Sequence, residues 1–404
     1  MAPDGLGPMI WAPISELDFV GRQPVYAVTF VLFLCFSVLA STAQSWEGFL
    51  AIRFFQAFFG SPCLANGGAS MHDLFPVLTV PFSLTIWIAA AFCGPALGPV
   101  LAGYVVPENG WRLGMWEITY MAGPTCVLLL LLPETHQPTI EARRTQALRQ
   151  RRRGDDTQRR TDQKRRIRIL LLSLQDAIIK PIQICMLDPS VGVANLYTSF
   201  IYGTYYTLFD AIPRVYPVRY GFDTGQLGLS FLHVFVACVV GATTYSAYVY
   251  HVQNPQLRRG RLTEHEECLR PALVACFLPP VGLFVFAWTS NGSIHWLVGL
   301  FGLTLYAMGT FVILQCLSVY LPRIYPVYSA SLFASNDLFR SSLATGAIHF
   351  GVPLYENLGV DRGVSVLGGL SVLGIAGMWF IYGKGAALRA QSRFVMISPR
   401  EILE

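Results

Sequence analysis

Five charged side chains stand inside stretches of sequence that are otherwise apolar. A charge in such a stretch is expensive, so it is usually paired or functional. Desolvation favours the neutral form of a carboxylate, whereas a nearby arginine favours its charged form. Opening and closing a cavity changes both effects, so such a group can take up a proton on one side and release it on the other. The candidates for proton coupling are Arg53, Glu117, Asp210, Asp337 and Arg340.

Some of these charges have a simpler structural alternative nearby in the sequence. Asp337 and Arg340 stand three residues apart, which places them on one helical face, and one reading is that they neutralise each other. Arg53 and Gln56 have the same spacing, so both polar groups face one side of their helix. We take Gln56 and Asn336 as candidate residues of a substrate cavity.

Asp210 and Glu117 have an interfacial alternative. Asp210 ends a predicted helix just before Pro213, and Glu117 lies one turn inside a helix that begins near Arg112. A carboxylate near a helix end can reach the water at the membrane surface. The sequence therefore leaves both an interfacial role and a proton-coupling role open for these two residues.

The segment from Gly94 to Tyr104 is rich in glycine and proline. Gly94, Gly98 and Ala102 recur every four residues, which makes one smooth helix face and predicts a close approach of another helix. Pro95 and Pro99 are expected to bend this helix. The alternative is an ordinary packing helix.

Aromatic residues are concentrated in a second segment. Most of them would pack or lie at the membrane interface. A subset that lined an apolar cavity would suit flat hydrophobic or cationic molecules, and we take Tyr202 and Tyr206 as that subset. The cluster comprises Tyr197, Phe200, Tyr202, Tyr205, Tyr206 and Phe209.

The elements that carry these residues must be membrane helices. Only 13% of the 404 residues are charged and 53% are hydrophobic, whereas soluble domains carry about 25% charged residues. A spanning helix needs ~20 mainly apolar residues. The stretch from Gly5 to Leu17 is too short to span. The ten predicted spans are 25–42, 47–68, 81–106, 112–132, 190–212, 226–250, 271–289, 294–320, 327–350 and 364–383.

A basic segment interrupts the apolar pattern. Residues 134–180 hold thirteen Lys and Arg against six Asp and Glu. Basic loops mark the cytosolic side, where anionic lipid headgroups are the nearest partner, so we predict no nucleic-acid partner. The predicted domains are an N-terminal helical bundle (1–133), a basic cytosolic linker (134–185), a C-terminal six-helix bundle (186–384) and a cytosolic tail (385–404).

Metal and enzymatic chemistry find little support in the sequence. The nine cysteines are scattered, without the clustered spacing that metal sites need. The seven histidines are dispersed as well. We therefore predict no metal site, no cofactor and no enzymatic activity.

Three motifs in order resemble the major facilitator superfamily. The segment Gly94–Tyr104 resembles its antiporter motif C. Ser15-Glu16-Leu17 with Gly21-Arg22-Gln23-Pro24 resembles the motif A loop, and Arg53-Phe54-Phe55-Gln56 resembles the motif B helix. The stretches 111–117, 132–135 and 336–341 are similar to fungal drug:proton antiporters, in particular the caffeine, benomyl and cycloheximide resistance group.

This resemblance implies a fold and a set of roles. The fold is an all-α membrane protein of two helical bundles that works by alternating access. Glu16, Gly21 and Arg22 would belong to a cytoplasmic gating loop, and Arg53 would couple transport to protonation. The residues that would shape the antiporter helix are Gly94, Pro95, Gly98, Pro99 and Gly103.

The sequence also departs from the family pattern. Gln23 stands where a second basic residue is usual, Ala102 replaces a glycine, and Asp210 and Ile212 replace a more usual Glu and Phe. The family has twelve helices, whereas ten full spans and a short stub are predicted. We therefore expect the first helix and part of the second to have no counterpart.

The function implied by the resemblance is proton-driven efflux of small hydrophobic compounds, such as drugs or secondary metabolites. The alternatives are a transport-inactive truncated member of the family and a nutrient importer of the same fold. We expect a monomer in the plasma membrane, with the central loop and the C-terminus in the cytosol and the proton gradient in place of a cofactor. The identity of the substrate is not encoded in any one motif.

Overall fold

The computed structural model describes residues 2–17, 19–152, 188–259, 265–324 and 329–391, with residues 179, 183 and 185 between them. In these residues the secondary structure is helical, and no β-strand occurs among them. Much of the basic linker (residues 153–178) and most of the tail (residues 392–404) lie outside the described residues.

The helices follow the apolar pattern of the sequence. The chain forms α1 (Ala2–Ser15), α2 (Arg22–Thr42), α3 (Trp46–Gly60), α4 (Pro62–Leu74), α5 (Val80–Asn109), α6 (Trp111–Leu131), α7 (Gln137–Arg152), α8 (Pro189–Tyr220), α9 (Thr224–Ser230), α10 (Leu232–Tyr248), α11 (Asn254–Arg258), α12 (Arg270–Ala275), α13 (Leu278–Thr289), α14 (Trp296–Ile324) and α15 (Ser329–Gln391). A π-helical turn precedes α11 and a 3-10 turn precedes α12.

Eight helical stretches in the described part of the chain are long and apolar enough to cross a membrane. The final stretch is 54 residues long, and non-helical Gly359 divides it, with φ at +77°. The eight are Arg22–Thr42, Trp46–Leu74, Val80–Asn109, Trp111–Leu131, Thr224–Arg258, His265–Thr289, Trp296–Ile324 and Leu332–Gly385.

The ten predicted spans fall on these helices and on one other. The predicted span 190–212 lies in α8, which has 32 residues but is not among the eight apolar stretches. The predicted spans 327–350 and 364–383 lie on the two sides of Gly359, except for residues 327 and 328, which are outside the described residues. The all-helical membrane fold predicted from the sequence is therefore confirmed.

Helix α1 is too short to cross a membrane. Its 14 residues, with Pro8 and Pro13 inside, rise about 21 Å at 1.5 Å per residue, whereas the hydrocarbon core is about 30 Å thick. It packs on α3 and α4 through small residues, since Ala12 meets Ala65 and Ala69 in one buried cluster.

The described chain packs into two compact units. The first comprises Met1–Pro76, Met115–Gln183 and Ala330–Leu338, and the second comprises Val77–Gly114, Ile184–Ser329 and Phe339–Glu404. Helix α5 belongs to the second unit because it packs on α9, α10 and α14. The domain boundaries predicted at the basic linker divide the chain along its sequence and not by its packing, and they remain a prediction.

The close approach of α5 to another helix occurs at Pro99 and Gly103. A β-carbon on Gly103 would stand 2.6 Å from the carbonyl oxygen of Thr224, and one on Gly228 would meet the carbonyl group of Pro99. The predicted contact face of Gly94, Gly98 and Ala102 is therefore wrong in its register by one residue: a β-carbon placed on Gly94 or Gly98 would have no atom of another described segment within 4 Å.

Substitution at Gly103 tests this contact. Gly103→Ala places a β-carbon against backbone, which cannot rotate away, and we expect it to destabilise the protein by about 1–3 kcal/mol. Gly98→Ala is the matched control, because nothing occupies the space beside it. Thermal unfolding of the purified protein measures both, and equal stability of the two variants would contradict the close approach.

Candidate functional site

The residues of the predicted gating loop meet at one end of the first unit. Arg22 is the first residue of α2 and only 2% of its side chain is exposed. Its Nε atom donates to Oδ2 of Asp73 at 2.7 Å. Asp73, near the end of α4, is 51 residues away in sequence. This partner neutralises a guanidinium that would otherwise be buried at high cost.

Glu134 connects this loop to the end of α6. Its Oε1 atom accepts the backbone N–H groups of Arg22, Thr135 and His136, each at 3.0 Å. Gly21 makes room for the carboxylate: it has φ at +86°, and a β-carbon there would stand 2.6 Å from Cδ of Glu134. The position therefore requires glycine both for its backbone conformation and for space.

Helix α7 is fastened to the same loop. Arg143 donates from Nη2 to the carbonyl oxygen of Val20 at 2.9 Å, and this Nη2 lies 3.8 Å from Oε2 of Glu134. The start of α7 is also tied locally, because Nδ1 of His136 lies 2.8 Å from the Thr139 hydroxyl. The beginning of the linker is thus in direct contact with the predicted gating loop.

Glu16 is the titratable group of this cluster. Burial raises its pKa to about 7, opposed by the positive charge of Arg22 and reinforced by the negative charge of Asp73. A carboxyl group with this pKa changes charge near neutral pH, so the electrostatics of the loop depend on proton concentration. The predicted gating residues Glu16, Gly21 and Arg22 are thus brought together.

A second arrangement in the first unit is centred on α3. Arg53 and Gln56 do face one side of α3, as predicted: Nη1 of Arg53 donates to Oε1 of Gln56 at 2.9 Å. Gln56 is 4% exposed and donates from Nε2 to the Ser37 hydroxyl at 2.8 Å. Both residues border a cavity of about 510 Å³, which is lined by Pro3, Asp4, Phe33, Leu50, Arg53, Phe54, Gln56, Ala57 and Ile118.

An aromatic cluster in the second unit brings three predicted residues together. The hydroxyl groups of Tyr202 and Tyr206 are 3.3 Å apart, and their rings meet edge to face at 4.9 Å. The guanidinium of Arg340 lies 4.8 Å from the centre of the Tyr202 ring, in range of a cation–π interaction. Phe209 stacks on Tyr206. This surface presents flat rings and one cation.

The remaining predicted charges are not gathered into these arrangements. Asp210 pairs with Arg214 at 2.9 Å, and Arg214 also lies 3.6 Å from Glu356, which favours the interfacial reading of Asp210. Glu117 is half-buried on α6. Asn336 and the buried Asp337 belong to the first unit, whereas Arg340 belongs to the second.

Several residues of the site could not be singled out from the sequence. Asp73, Glu134, Arg143 and Asp4 find their places through contacts with residues far away in the chain. The sequence offered one indication of two of these residues, because Asp73 and Glu134 each stand at the end of an apolar helix. Within the described ranges, no group of three or more His, Cys, Asp or Glu could hold a metal ion.

Removal of the Glu134 side chain tests its role as the connecting residue. Glu134→Ala deletes three hydrogen bonds to a charged acceptor, each worth about 1.5–3 kcal/mol. We expect amide exchange at Arg22, Thr135 and His136 to accelerate by about tenfold or more, as measured by hydrogen–deuterium exchange. The exposed Glu141 on α7 provides the control Glu141→Ala, and equal exchange in both variants would refute the role.

Glu16 predicts a pH-dependent stability. Because its pKa is higher in the folded state than in the unfolded chain, its contribution is full below pH ~4.5 and is lost as pH rises to ~7. Glu16→Gln mimics the protonated side chain, so we expect it to stabilise the protein at pH 8, by about 1–3 kcal/mol, and to change little at pH 4.5. Glu47→Gln, at an exposed position, is the control; the same shift at both pH values would contradict the assignment.

Curated relatives match almost the whole chain. An MFS-type transporter, pyvG, of Aspergillus violaceofuscus is 42% identical over 390 residues, which cover 96% of this chain and 72% of the relative. A cycloheximide resistance protein of Candida maltosa is 31% identical over 401 residues, covering 96% of this chain and 73% of the relative. Both relatives come from fungi.

Solved structures share the fold. The human organic anion transporter MFSD10 (TETRAN) superposes with a TM-score of 0.62 at 17% identity, covering 93% of this chain and 82% of that one. The proton:xylose symporter XylE superposes with a TM-score of 0.63 at 12% identity, covering 95% and 84%. At these identities the likeness concerns the fold alone.

The family assignment rests on sequence as well as fold. The family model of the Major Facilitator Superfamily matches residues 1–347, a range that includes the gating loop, the Arg53 cavity and the glycine–proline helix. This agrees with the resemblance carried by the three motifs. The chain belongs to the major facilitator superfamily, and it is therefore a multi-pass membrane transporter of small molecules and not an enzyme.

Proposed function

We propose that this chain exports small hydrophobic organic compounds, such as drugs or secondary metabolites, in exchange for protons. The observation that carries the proposal is the cavity of the first unit, in which Arg53 and Gln56 are the polar centre of largely apolar walls. A pocket of this composition binds through apolar contact and orients its ligand with few polar groups. The names of the relatives, which include a cycloheximide resistance protein, support the direction of transport.

The aromatic cluster of the second unit supports the same class of compound. Tyr202, Tyr206 and Phe209 present ring faces and edges that suit flat apolar molecules. Arg340 against the Tyr202 ring adds a polarising charge. Asn336 remains a proposed cavity residue, on the side of the first unit.

Coupling to protons would use the buried charges and the gating loop. Arg53 lies in the apolar stretch Trp46–Leu74 and borders the cavity, so a change in its surroundings would alter its interaction with a protonatable partner. Glu16, with its pKa near 7, would then report proton binding to the loop that opens and closes. Glu117, Asp210, Asp337 and Arg340 are the other proposed participants, and no cofactor is needed because the gradient supplies the energy.

The orientation and setting are proposed from charge. The linker 134–185 carries many basic residues, which supports a cytosolic location for the linker, the gating loop and the tail. We propose a monomer in the plasma membrane, where an exporter of toxic compounds acts. An importer of nutrients with the same fold would carry its cargo in the opposite direction, so measurement of direction distinguishes the two.

Accumulation of a hydrophobic dye tests the proposal. In a yeast strain deprived of its own exporters, cells with this chain are expected to hold less Nile red than cells with an empty vector, and a protonophore should abolish the difference. Arg53→Ala is expected to lower the export rate about tenfold, equivalent to ~1.4 kcal/mol. Arg258→Ala, at an exposed helix end, is the control. Unchanged or increased dye content in cells that express the protein would refute export.

A further inference from the structure

The cavity of the first unit contains one acidic and one basic side chain. Asp4 is contributed by α1 and Arg53 by α3, and both line the same space of about 510 Å³. They are near enough for the charge of Asp4 to act on the Arg53 guanidinium. Asp4 lies in a segment that the sequence marked only as a short apolar stub, and no motif includes it.

The guanidinium of Arg53 is held in place. Its Nη1 donates to Gln56, the amide of Gln56 donates to the Ser37 hydroxyl at 2.8 Å, and this hydroxyl donates to the carbonyl oxygen of Phe33 at 2.8 Å. The chain of hydrogen bonds therefore ends on the backbone of α2. Phe49 lies beneath the guanidinium, 5.8 Å from its carbon to the ring centre. Because one edge of the group is fixed, its charge has a defined position on the cavity wall.

Charges on the wall of an apolar cavity act strongly on a ligand. A charge on such a wall acts more strongly than a charge in bulk water, because the effective dielectric constant is lower there. A ligand with a net charge of either sign would meet one attractive and one repulsive side chain here. It would also lose its own hydration on entry. An uncharged polar ligand avoids both costs and can still form hydrogen bonds with Arg53, Asp4 or Gln56.

We propose that Asp4 and Arg53 together make this cavity selective for uncharged amphiphiles, with Asp4 as the residue that excludes organic anions. The apolar remainder of the wall, which includes Phe33, Leu50, Phe54 and Ile118, binds the hydrophobic body of the ligand. The selectivity would define the substrate class of the proposed exporter. Its physiological meaning rests on the proposed function, whereas the selective binding itself does not.

The proposal has a reciprocal signature. With Asp4 neutralised, the cavity keeps the positive charge of Arg53 and should favour anions. With Arg53 neutralised, it keeps the negative charge of Asp4 and should favour cations. A role for either residue in folding alone would weaken the binding of all ligands together and would not invert the preference for charge.

Three probes with one skeleton measure this preference. Naphthalene-2-methanol, 2-naphthoate and 2-naphthylmethylammonium differ mainly in charge, and each is titrated by calorimetry into the purified full chain in phosphatidylcholine nanodiscs. For the unmodified protein we expect the alcohol to bind most tightly. In Asp4→Asn the naphthoate should gain about tenfold relative to the alcohol, and in Arg53→Gln the ammonium should gain by a similar factor.

Two further variants test whether the change in preference depends on the charge of Asp4 and whether it arises in the cavity. Asp4→Glu retains the charge and should retain the order of the three probes. Ala57→Phe narrows the cavity, since Ala57 is part of its wall, and should abolish the effect of Asp4→Asn when the two are combined. Persistence of that effect in the combined variant would place it outside the cavity and overturn the proposal.

The outcomes are separable from those of the export assay. Equal changes for all three probes in Asp4→Asn, or no change, would overturn the selectivity whether or not cells export dye. If Asp4→Asn does not fold, Arg53→Gln decides: a gain for the ammonium supports the proposal and no gain refutes it. Reciprocal shifts in a protein that does not export would sustain the binding inference and refute only the proposed function.

Discussion

A charged group among apolar helices must be compensated, because its lost hydration is not returned by its surroundings. Two arginines in the described part of the first unit illustrate that constraint. The guanidinium of Arg22 is almost fully buried, and Asp73 accepts from it at 2.7 Å. The half-buried guanidinium of Arg53 donates to Gln56 and lies over the ring of Phe49. A fully charged partner holds a charged side chain in one position. A side chain whose charge is only partly compensated can still respond to a ligand or a proton. The two arginines therefore differ in their surroundings: Arg22 has an acidic partner in its loop, and Arg53 borders a cavity.

The gating loop shows how a network of few residues can join separate helices. Glu134 supplies one carboxylate oxygen to three backbone N–H groups, which reach it from the start of α2 and from its own connection to α7. Because a charged acceptor is shared among them, movement of one segment weakens the hydrogen bonds of the others. Arg143 extends the same network onto the linker. The described start of the linker is thus connected to this loop by a hydrogen bond.

The sequence predicted what depends on local composition and missed what depends on distant contact. The apolar stretches predicted the helices and their approximate limits, because a helix that spans a membrane needs ~20 consecutive apolar residues irrespective of fold. The three-residue spacing also placed Arg53 and Gln56 correctly on one face. By contrast, Asp73 lies 51 residues from Arg22, and Glu134 lies 112 residues from it. No local period encodes such pairs. The helix α5 is an intermediate case: spacing predicted a close approach, but the register depends on α9, and the actual face is that of Pro99 and Gly103.

Asp210 illustrates how a charged residue in an apolar stretch of sequence can have an ion-pair partner in the structure. Its place before Pro213 left an interfacial reading open, and the structure supplies Arg214 one turn away and Glu356 beyond it. Asp210 and Arg214 are about one third exposed and Glu356 is 60% exposed, so an ion network of this kind remains hydrated and contributes little energy. Glu16 differs because burial, the strongest influence on it, opposes its charge while Arg22 supports it. A carboxyl group balanced between two opposing effects changes its charge with a small movement of either, so the charge of Glu16 is sensitive to the positions of its neighbours.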